Sequence, residues 1–173
     1  MGFGMKFCIS EEVVMSIERA KAHLEKKGYL DRVIEPEEPT FTVEQAAAAV
    51  GCEPAHIAKS MSFLGAQADD PAVILIAAGD AQISNRKFRE SFGWKPHMVP
   101  FDRVEEVIGH APGGVCAFGV NEGVKVYCDV SLKRFEYVYP AAGNDHSAVK
   151  LTCDELFDAC DAVEWVDACQ NWA

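Results

Sequence analysis

AVILIAAG, residues Ala72 to Gly79, holds seven apolar side chains in succession and ends on glycine. A run this short, rich in branched residues and bounded by Pro71 and Gly79, has no polar side to give to water. It reads as a strand buried on both faces. Such a strand needs a partner along each edge and a layer over each face. HIAKSMSFL (56–64) precedes it with enough alternation for a strand, and GVKVYCDV (123–130), FEYVYPAA (135–142), SAVKLT (147–152) and AVEWV (162–166) follow as further strands.

The covering layers are legible as helices with their own start and stop signals. SEEVVMSIERAKAHLEKKG (10–28) has Ser10 as N-cap, apolar residues at 13, 14, 17, 20 and 24, and Gly28 as its stop. TVEQAAAAVG (42–51) opens with Thr42 and Gln45 at capping-box spacing. SNRKFRESFG (84–93) places Phe88 and Phe92 four apart on one face. FDRVEEVIG (101–109) reads as a helix with Asp102 as cap and Glu105 as box, and TCDELFDAC (152–160) as another capped helix. VIEPEEPT (33–40) is a Pro-rich acidic connection. The expected architecture is a mixed α/β fold: one domain over residues 1–173, with a mixed, largely antiparallel sheet or barrel-like core surrounded by helices. A helical extension occupies about 10–40.

At 173 residues the chain is long enough to bury roughly 70% of its unfolded surface. It has no apolar run near the ~20 residues of a membrane span. MGFGMKFCIS (1–10) lacks both a long apolar stretch and a small-residue cleavage site, and Lys6 stands where a myristoylation motif wants Ser or Thr. A cytoplasmic location without membrane attachment is expected. Seven cysteines, at 8, 52, 116, 128, 153, 160 and 169, include no C-x-x-C pair, so neither zinc nor an obligatory disulfide is expected. The net charge of −11 opposes non-specific nucleic-acid binding, which depends on displacing counterions with basic groups. One stretch departs from the average: Arg86, Lys87, Arg89, Lys95 and Arg103 stand against only Glu90 and Asp102.

Phosphate-binding and dinucleotide-binding glycine motifs, H-E-x-x-H and G-x-S-x-G are all absent. What remains is a set of small polar signals. Lys59 and Ser60 lie in AKSM, Asp80 ends the apolar run, and GHAPGGVCAFGV (109–120) carries four glycines around Cys116. Asp129 precedes Ser131 in CDVS, and AAGNDHS (141–147) is a turn containing His146. Glycine-rich turns between a helix and a strand are common, and each signal alone is unspecific.

Taken in order, IAKSMSF, AAGDAQISNRKF, GHAPGGVCAFG, VYCDVSL and YPAAGNDHSAVKL resemble the YbaK/ProX-type aminoacyl-tRNA deacylases, free-standing relatives of the prolyl-tRNA synthetase editing domain. The resemblance spans about residues 40–167. It implies a mixed sheet with surrounding helices, no metal or other cofactor, and hydrolysis of the ester that joins a wrong amino acid to tRNA, with water activated by the substrate's own ribose hydroxyl. The partner implied is the acceptor end of aminoacyl-tRNA, with an aminoacyl-tRNA synthetase as a further one. Lys59 matches the family's pocket lysine, a point charge for phosphate or ribose oxygens. Ser60 beside it packs or helps position the substrate, and His146 can hydrogen-bond the substrate amine or ribose from its turn.

The glycine loop gains a chemical reading from the same resemblance. Ester hydrolysis passes through an oxyanion, stabilised by preorganised N–H donors, and glycine lets backbone amides approach a ligand closely. The family's G-x-x-x-P loop places Gly113 first, with Gly114 beside it, and puts Cys116, Ala117 and Phe118 on the substrate side. Ala117 stands where the family has proline, which removes a fixed φ. Ala148 stands where the Cys-tRNA branch has an acid. Two other readings stay open from the residues. One is a non-catalytic module that binds aminoacyl-tRNA or a small ligand. The other is a hydrolase using Cys116 as nucleophile, with His110 or His146 as base.

Overall fold

The computed structural model describes residues 11–37, 42–111, 115–143 and 147–172. In chain order the elements are α1 (Glu11–Lys27), β1 (Val33–Ile34), α2 (Val43–Val50), β2 (Ile57–Phe63), β3 (Val73–Ala78), β4 (Gln82–Ile83) and α3 (Asn85–Phe92). Then follow α4 (Val104–Ile108), β5 (Lys125–Asp129), β6 (Tyr139–Pro140), β7 (Ala148–Val149), α5 (Cys153–Ala159), β8 (Trp165–Val166) and β9 (Cys169–Gln170). No helix among the described residues is long and apolar enough to cross a membrane.

Strand β3 is the apolar run, and it takes the middle of a five-stranded sheet ordered β6–β2–β3–β5–β8. It pairs antiparallel with β2 over six positions, from Ala58 opposite Ala78 to Phe63 opposite Val73. The β3–β5 joint is parallel and therefore needs a crossover, which β4, α3 and α4 provide. The β2–β6 and β5–β8 joints are parallel as well. The small sheets β1–β7 and β4–β9 are antiparallel, as are the bridges Phe63–Met98, Val138–Leu151 and Ala141–Ala148. The fold is mixed α/β: three strand pairings are antiparallel and three parallel, and the antiparallel ones hold ten of the eighteen registered residue pairs.

Each face of β3 has its cover. The face carrying Val73 and Leu75 also carries Phe63 and Tyr127 by register. There α3 lays down Phe88 and Phe92, with ring centroids 4.9 Å from Phe63 to Phe88 and 4.9 Å from Phe92 to Tyr127. The helix starts where expected, since Ser84 Oγ accepts from Lys87 N at 3.3 Å. The opposite face carries Ile76 and Cys128, and Cys160 at the end of α5 meets Cys128. Helix α5 begins with a complete capping box: Thr152 Oγ1 accepts from Glu155 N, and Glu155 Oε1 accepts from Thr152 N at 3.0 Å. Helix α1 stacks on α5, with the His23 ring donating to Ala159 O at 2.7 Å and Tyr29 donating to Asp158 at 2.9 Å.

Two carboxylates tie the C-terminal ends of the central strands together. Asp129, fully buried, accepts from Ser131 N and Ala168 N, both at 2.9 Å. Asp80 accepts two bonds from Arg134, at 2.9 and 2.6 Å, and Arg134 Nε donates to Ser131 O. Both acids brace strand ends.

Some local expectations fail for identifiable reasons. The segment 101–109 opens with a 3-10 turn, Phe101–Arg103, closed by Arg103 N donating to Pro100 O at 2.9 Å. Asp102 sits inside that turn, so neither it nor Glu105 forms the expected cap. FEYVYPAA and SAVKLT contribute only two ladder residues each. Val33–Ile34, expected as connection, pairs with β7, and β9 after the expected last strand pairs with β4. Two-residue strands are too short to leave a period.

The Arg134 guanidinium holds the Asp80 carboxyl below the ordinary aspartate range. A lowered folded-state pKa gives stability that is fully present above the unfolded value of about 4 and is lost as pH falls through the folded value. Asp80→Asn should therefore cost about 1 kcal/mol, after screening of a partly exposed pair, at pH 5–8. The gap to wild type should close below about pH 4. Urea denaturation across pH checks this, and a gap that persists in acid contradicts it.

Candidate functional site

Lys59 is the third residue of β2. It is half-buried, and its ammonium donates to Ala81 O and to Gly79 O, the latter at 3.5 Å. The cause is the tight turn that follows β3. That turn leaves carbonyls unpaired by the ladder, and a cation one strand away can satisfy them. An ammonium has three donors, so these two bonds leave one N–H beyond them. Among the described residues Lys59 makes no hydrogen bond to the glycine loop. Beside the same turn, an open groove of about 780 Å³ is lined by Cys52, His56, Arg134, Phe135 and Tyr139. Arg134 stacks over Phe135 and Trp172, at 4.6 and 4.9 Å to the ring centroids.

Ser60 projects to the opposite face from Lys59, as strand alternation requires. Its hydroxyl is buried without a hydrogen-bond partner among the described residues, and Ser147 Oγ shares that condition. A buried polar group left unpaired costs about 1–3 kcal/mol. Ser60 is next to Lys59 in sequence and Ser147 next to His146.

The glycine loop is described at both ends. Gly113, Gly114 and His146 lie outside the described residues. On one side, Arg19 donates to Gly109 O at 2.6 Å, and Ala111 N donates to Ser16 Oγ at 2.9 Å. On the other, Cys116, Ala117 and Phe118 are buried in the core at 0%, 1% and 0% exposure. These three side chains, expected on the substrate side, pack in the core, while Val115 just before them is partly buried.

His110 joins the two ends, with Nε2 2.6 Å from Phe118 O. A carbonyl oxygen only accepts, so Nε2 carries the proton, and Nδ1 is left buried without a partner among the described residues. Cys116 Sγ lies 3.6 Å from that same Nε2. A protonated nitrogen cannot take a proton from the thiol. Burial pushes Cys116 up to about 12 and His110 down to about 4, so both stay neutral near pH 7. Burial likewise raises Cys52, Cys153 and Cys169, and the hydrogen bond with Cys160 together with burial raises Cys128. A nucleophilic cysteine requires the reverse shift. Among the described residues no group of three or more His, Cys, Asp or Glu is placed to hold a metal ion.

Arg134, Ser16 and Arg19 were not singled out from the sequence. The partners of Arg134 and Arg19 are 54 and 90 residues away, and no spacing rule reaches that far. The one available signal for Arg134 is its position two residues after the CDVSL segment.

Comparisons with known proteins bear on the family. A family model described as the aminoacyl-tRNA editing domain matches residues 37–159. The uncharacterized protein YwhH of Bacillus subtilis (strain 168) is 42% identical over 158 residues, which are 91% of this chain and 99% of that one. A crystal structure described as a candidate trans-editing enzyme for prolyl tRNA synthetase superposes with a TM-score of 0.80 at 28% identity, over 90% of this chain and 97% of that one. A scaffold protein used for computational epitope grafting gives the same TM-score at 26% identity and the same coverages. The segments carrying Lys59, Asp80, the glycine loop, Asp129 and His146 all fall inside the matched span, and the chain belongs to the aminoacyl-tRNA editing domain family, of the YbaK type.

Proposed function

We propose that this chain is a trans-editing hydrolase, a metal-free and cofactor-free aminoacyl-tRNA deacylase that releases a wrongly attached amino acid, with mischarged tRNA of the prolyl group as substrate. The observation that carries the reading is the editing-domain match over 37–159, which takes in every segment bearing a candidate residue. The likeness to a structure described as a candidate trans-editing enzyme for prolyl tRNA synthetase, over nearly the whole of both chains, supports action in trans.

The chemistry divides among few groups. Gly113 and Gly114 present amides to the developing oxyanion, where one donor removed costs about 10²–10³ in rate. The remaining N–H of Lys59 takes a phosphate or ribose oxygen of the terminal adenosine. His146 holds the aminoacyl-adenosine end, and Ser60, on the other face of β2 from Lys59, helps position the strand. The attacking water is activated by the substrate's ribose hydroxyl. The segment after the glycines shapes the pocket through backbone, since the Cys116, Ala117 and Phe118 side chains face inward.

Charge limits the contact to the acceptor end. Arg86 pairs with Glu90 and Lys87 with Asp167, so α3 is partly neutralised, while Arg89, Lys95 and Arg103 are exposed. So small a basic surface on a chain of net charge −11 implies that a synthetase partner supplies part of the affinity. Residues 1–173 act as one cytoplasmic domain in this reading, with the 10–40 segment as its helical extension.

The test is amino-acid release from a panel of purified mischarged tRNAs, with binding measured in parallel. Release from at least one member is expected, and chelators should not reduce it. Binding without release from any member would make the chain a binding module instead. Lys59→Ala should lower kcat/KM about 100-fold and cost about 1 kcal/mol of stability from the carbonyls it leaves unpaired. Wild-type turnover in that variant removes Lys59 from the site. Cys116→Ala should lose about 1 kcal/mol from a small cavity while keeping kcat within threefold. A loss of 10³ or more would restore the thiol reading.

A further inference from the structure

Helix α1 ends ten residues before the segment matched to the editing domain, yet it touches both loops that carry the candidate residues. Ser16 Oγ takes the Ala111 amide at 2.9 Å, a buried bond two residues ahead of Gly113. One helical turn on, Arg19 donates to Gly109 O at 2.6 Å and to Asn121 Oδ1 at 3.4 Å. Asn121 closes the circuit, with its side chain donating to Glu106 O at 2.9 Å and its amide to Ile108 O at 2.8 Å. Arg19 thereby joins the residues before and after the glycine loop. Its positive charge is felt at His110 and Cys116 between them.

The second loop meets the same turn of helix through backbone alone. Gly143 has φ +99°, and a Cβ built on it would lie 2.5 Å from Ser16 O and 2.7 Å from Ile17 Cα. A side chain there would hold α1 away from the segment leading to His146. At Gly109, φ +99°, a Cβ would lie 2.7 Å from Arg19 Nη1. Glycine at both positions lets one helix close on two loops at once.

We propose that α1 is a positioning element for the deacylation assigned above, with Ser16 and Arg19 as positioning residues that hold the stems of the glycine loop while the helix backbone sets the approach of the Gly143 segment. The inference rests on the editing reading and deepens it. Oxyanion donors act only when placed within a few tenths of an ångström, and a displacement of about 1 Å can cost 10²-fold in rate. A glycine-rich loop has little stiffness of its own. The clamp supplies it from outside the loop.

The experiment compares wild type with Arg19→Ala, Arg19→Lys and the milder Ser16→Ala, reading amide hydrogen exchange and steady-state deacylation on the mischarged tRNA that wild type hydrolyses best. Expected are exchange at least tenfold faster at the amides of residues 109–121 with β3 unchanged, kcat at least tenfold lower and KM within threefold. Arg19→Lys, which keeps a single donor for Gly109 O, should recover part of kcat. Ser16→Ala should show the same pattern with smaller amplitude. Unchanged loop exchange overturns the proposal, and so does faster loop exchange with wild-type kcat. A lowered melting temperature with neither kcat nor KM moved makes α1 a structural prop only and also overturns it. Wild type that releases nothing from any tRNA overturns the editing reading itself, whereas an active wild type with fully active variants overturns this inference alone.

Discussion

Strand β3 has six consecutive residues with no more than 3% of their surface exposed, and a strand in that state dictates its surroundings. Its two edges must be paired, or backbone groups would be buried without partners. Its two faces must be roofed, because side chains alternate and none of the six is polar. The antiparallel β2 is joined by the short 64–72 connection. The parallel β5 forces the long excursion through β4, α3 and α4, and that excursion ends in the glycine loop. The position of the loop, at the close of a crossover that must return to the sheet, thus follows from the same burial that makes β3 central. So does the turn after β3, where Lys59, Asp80 and Arg134 converge because the ladder stops and leaves carbonyls to satisfy.

What could be read from the sequence was whatever repeats at short range. The six-residue apolar strand, the Phe88–Phe92 pair, and the caps at Thr42, Ser84 and Thr152 each declare themselves within one or two turns of chain, and all are present. The segments that misled are those decided by distant partners. Val33–Ile34 is a strand only because β7 lies beside it, and Gln82–Ile83 only because β9 does. The Asp102 cap failed because Pro100 closed a tighter turn first. Lys59 could be singled out from its motif, but its carbonyl partners 20 and 22 residues away could not. Arg19 was invisible for the same reason at greater range.

Burial also decides which of the reactive-looking groups can react. A thiol and an imidazole 3.6 Å apart would suggest a nucleophile and its base if geometry were the only criterion. Here the surroundings are apolar, and the imidazole gives its one proton to Phe118 O. Desolvation drives the thiol up and the imidazole down, so charge separation between them is opposed from both sides. The pair is a hydrogen-bonded brace across the base of the loop. In the proposed reading, hydrolysis then falls to water and to backbone donors, which need no ionisable group of their own.

That conclusion places a demand on the loop itself. Holding backbone donors in place means ordering residues whose conformational freedom is the greatest of any, at about 1–2 kcal/mol for each residue fixed. In the family this chain resembles, a proline removes part of that freedom covalently, and here Ala117 occupies the position. Ala117 is 1% exposed and packed in the core, so its conformation is fixed by burial where a ring would otherwise fix it. Among the described residues, further restraint comes from three bonds at the two ends of the loop: Ser16 to Ala111, Arg19 to Gly109, and His110 to Phe118. Two of the three originate on α1. On the role proposed for α1, the helix outside the matched domain and the departure from the family's proline belong to one problem, the holding of the loop's two ends through tertiary contacts.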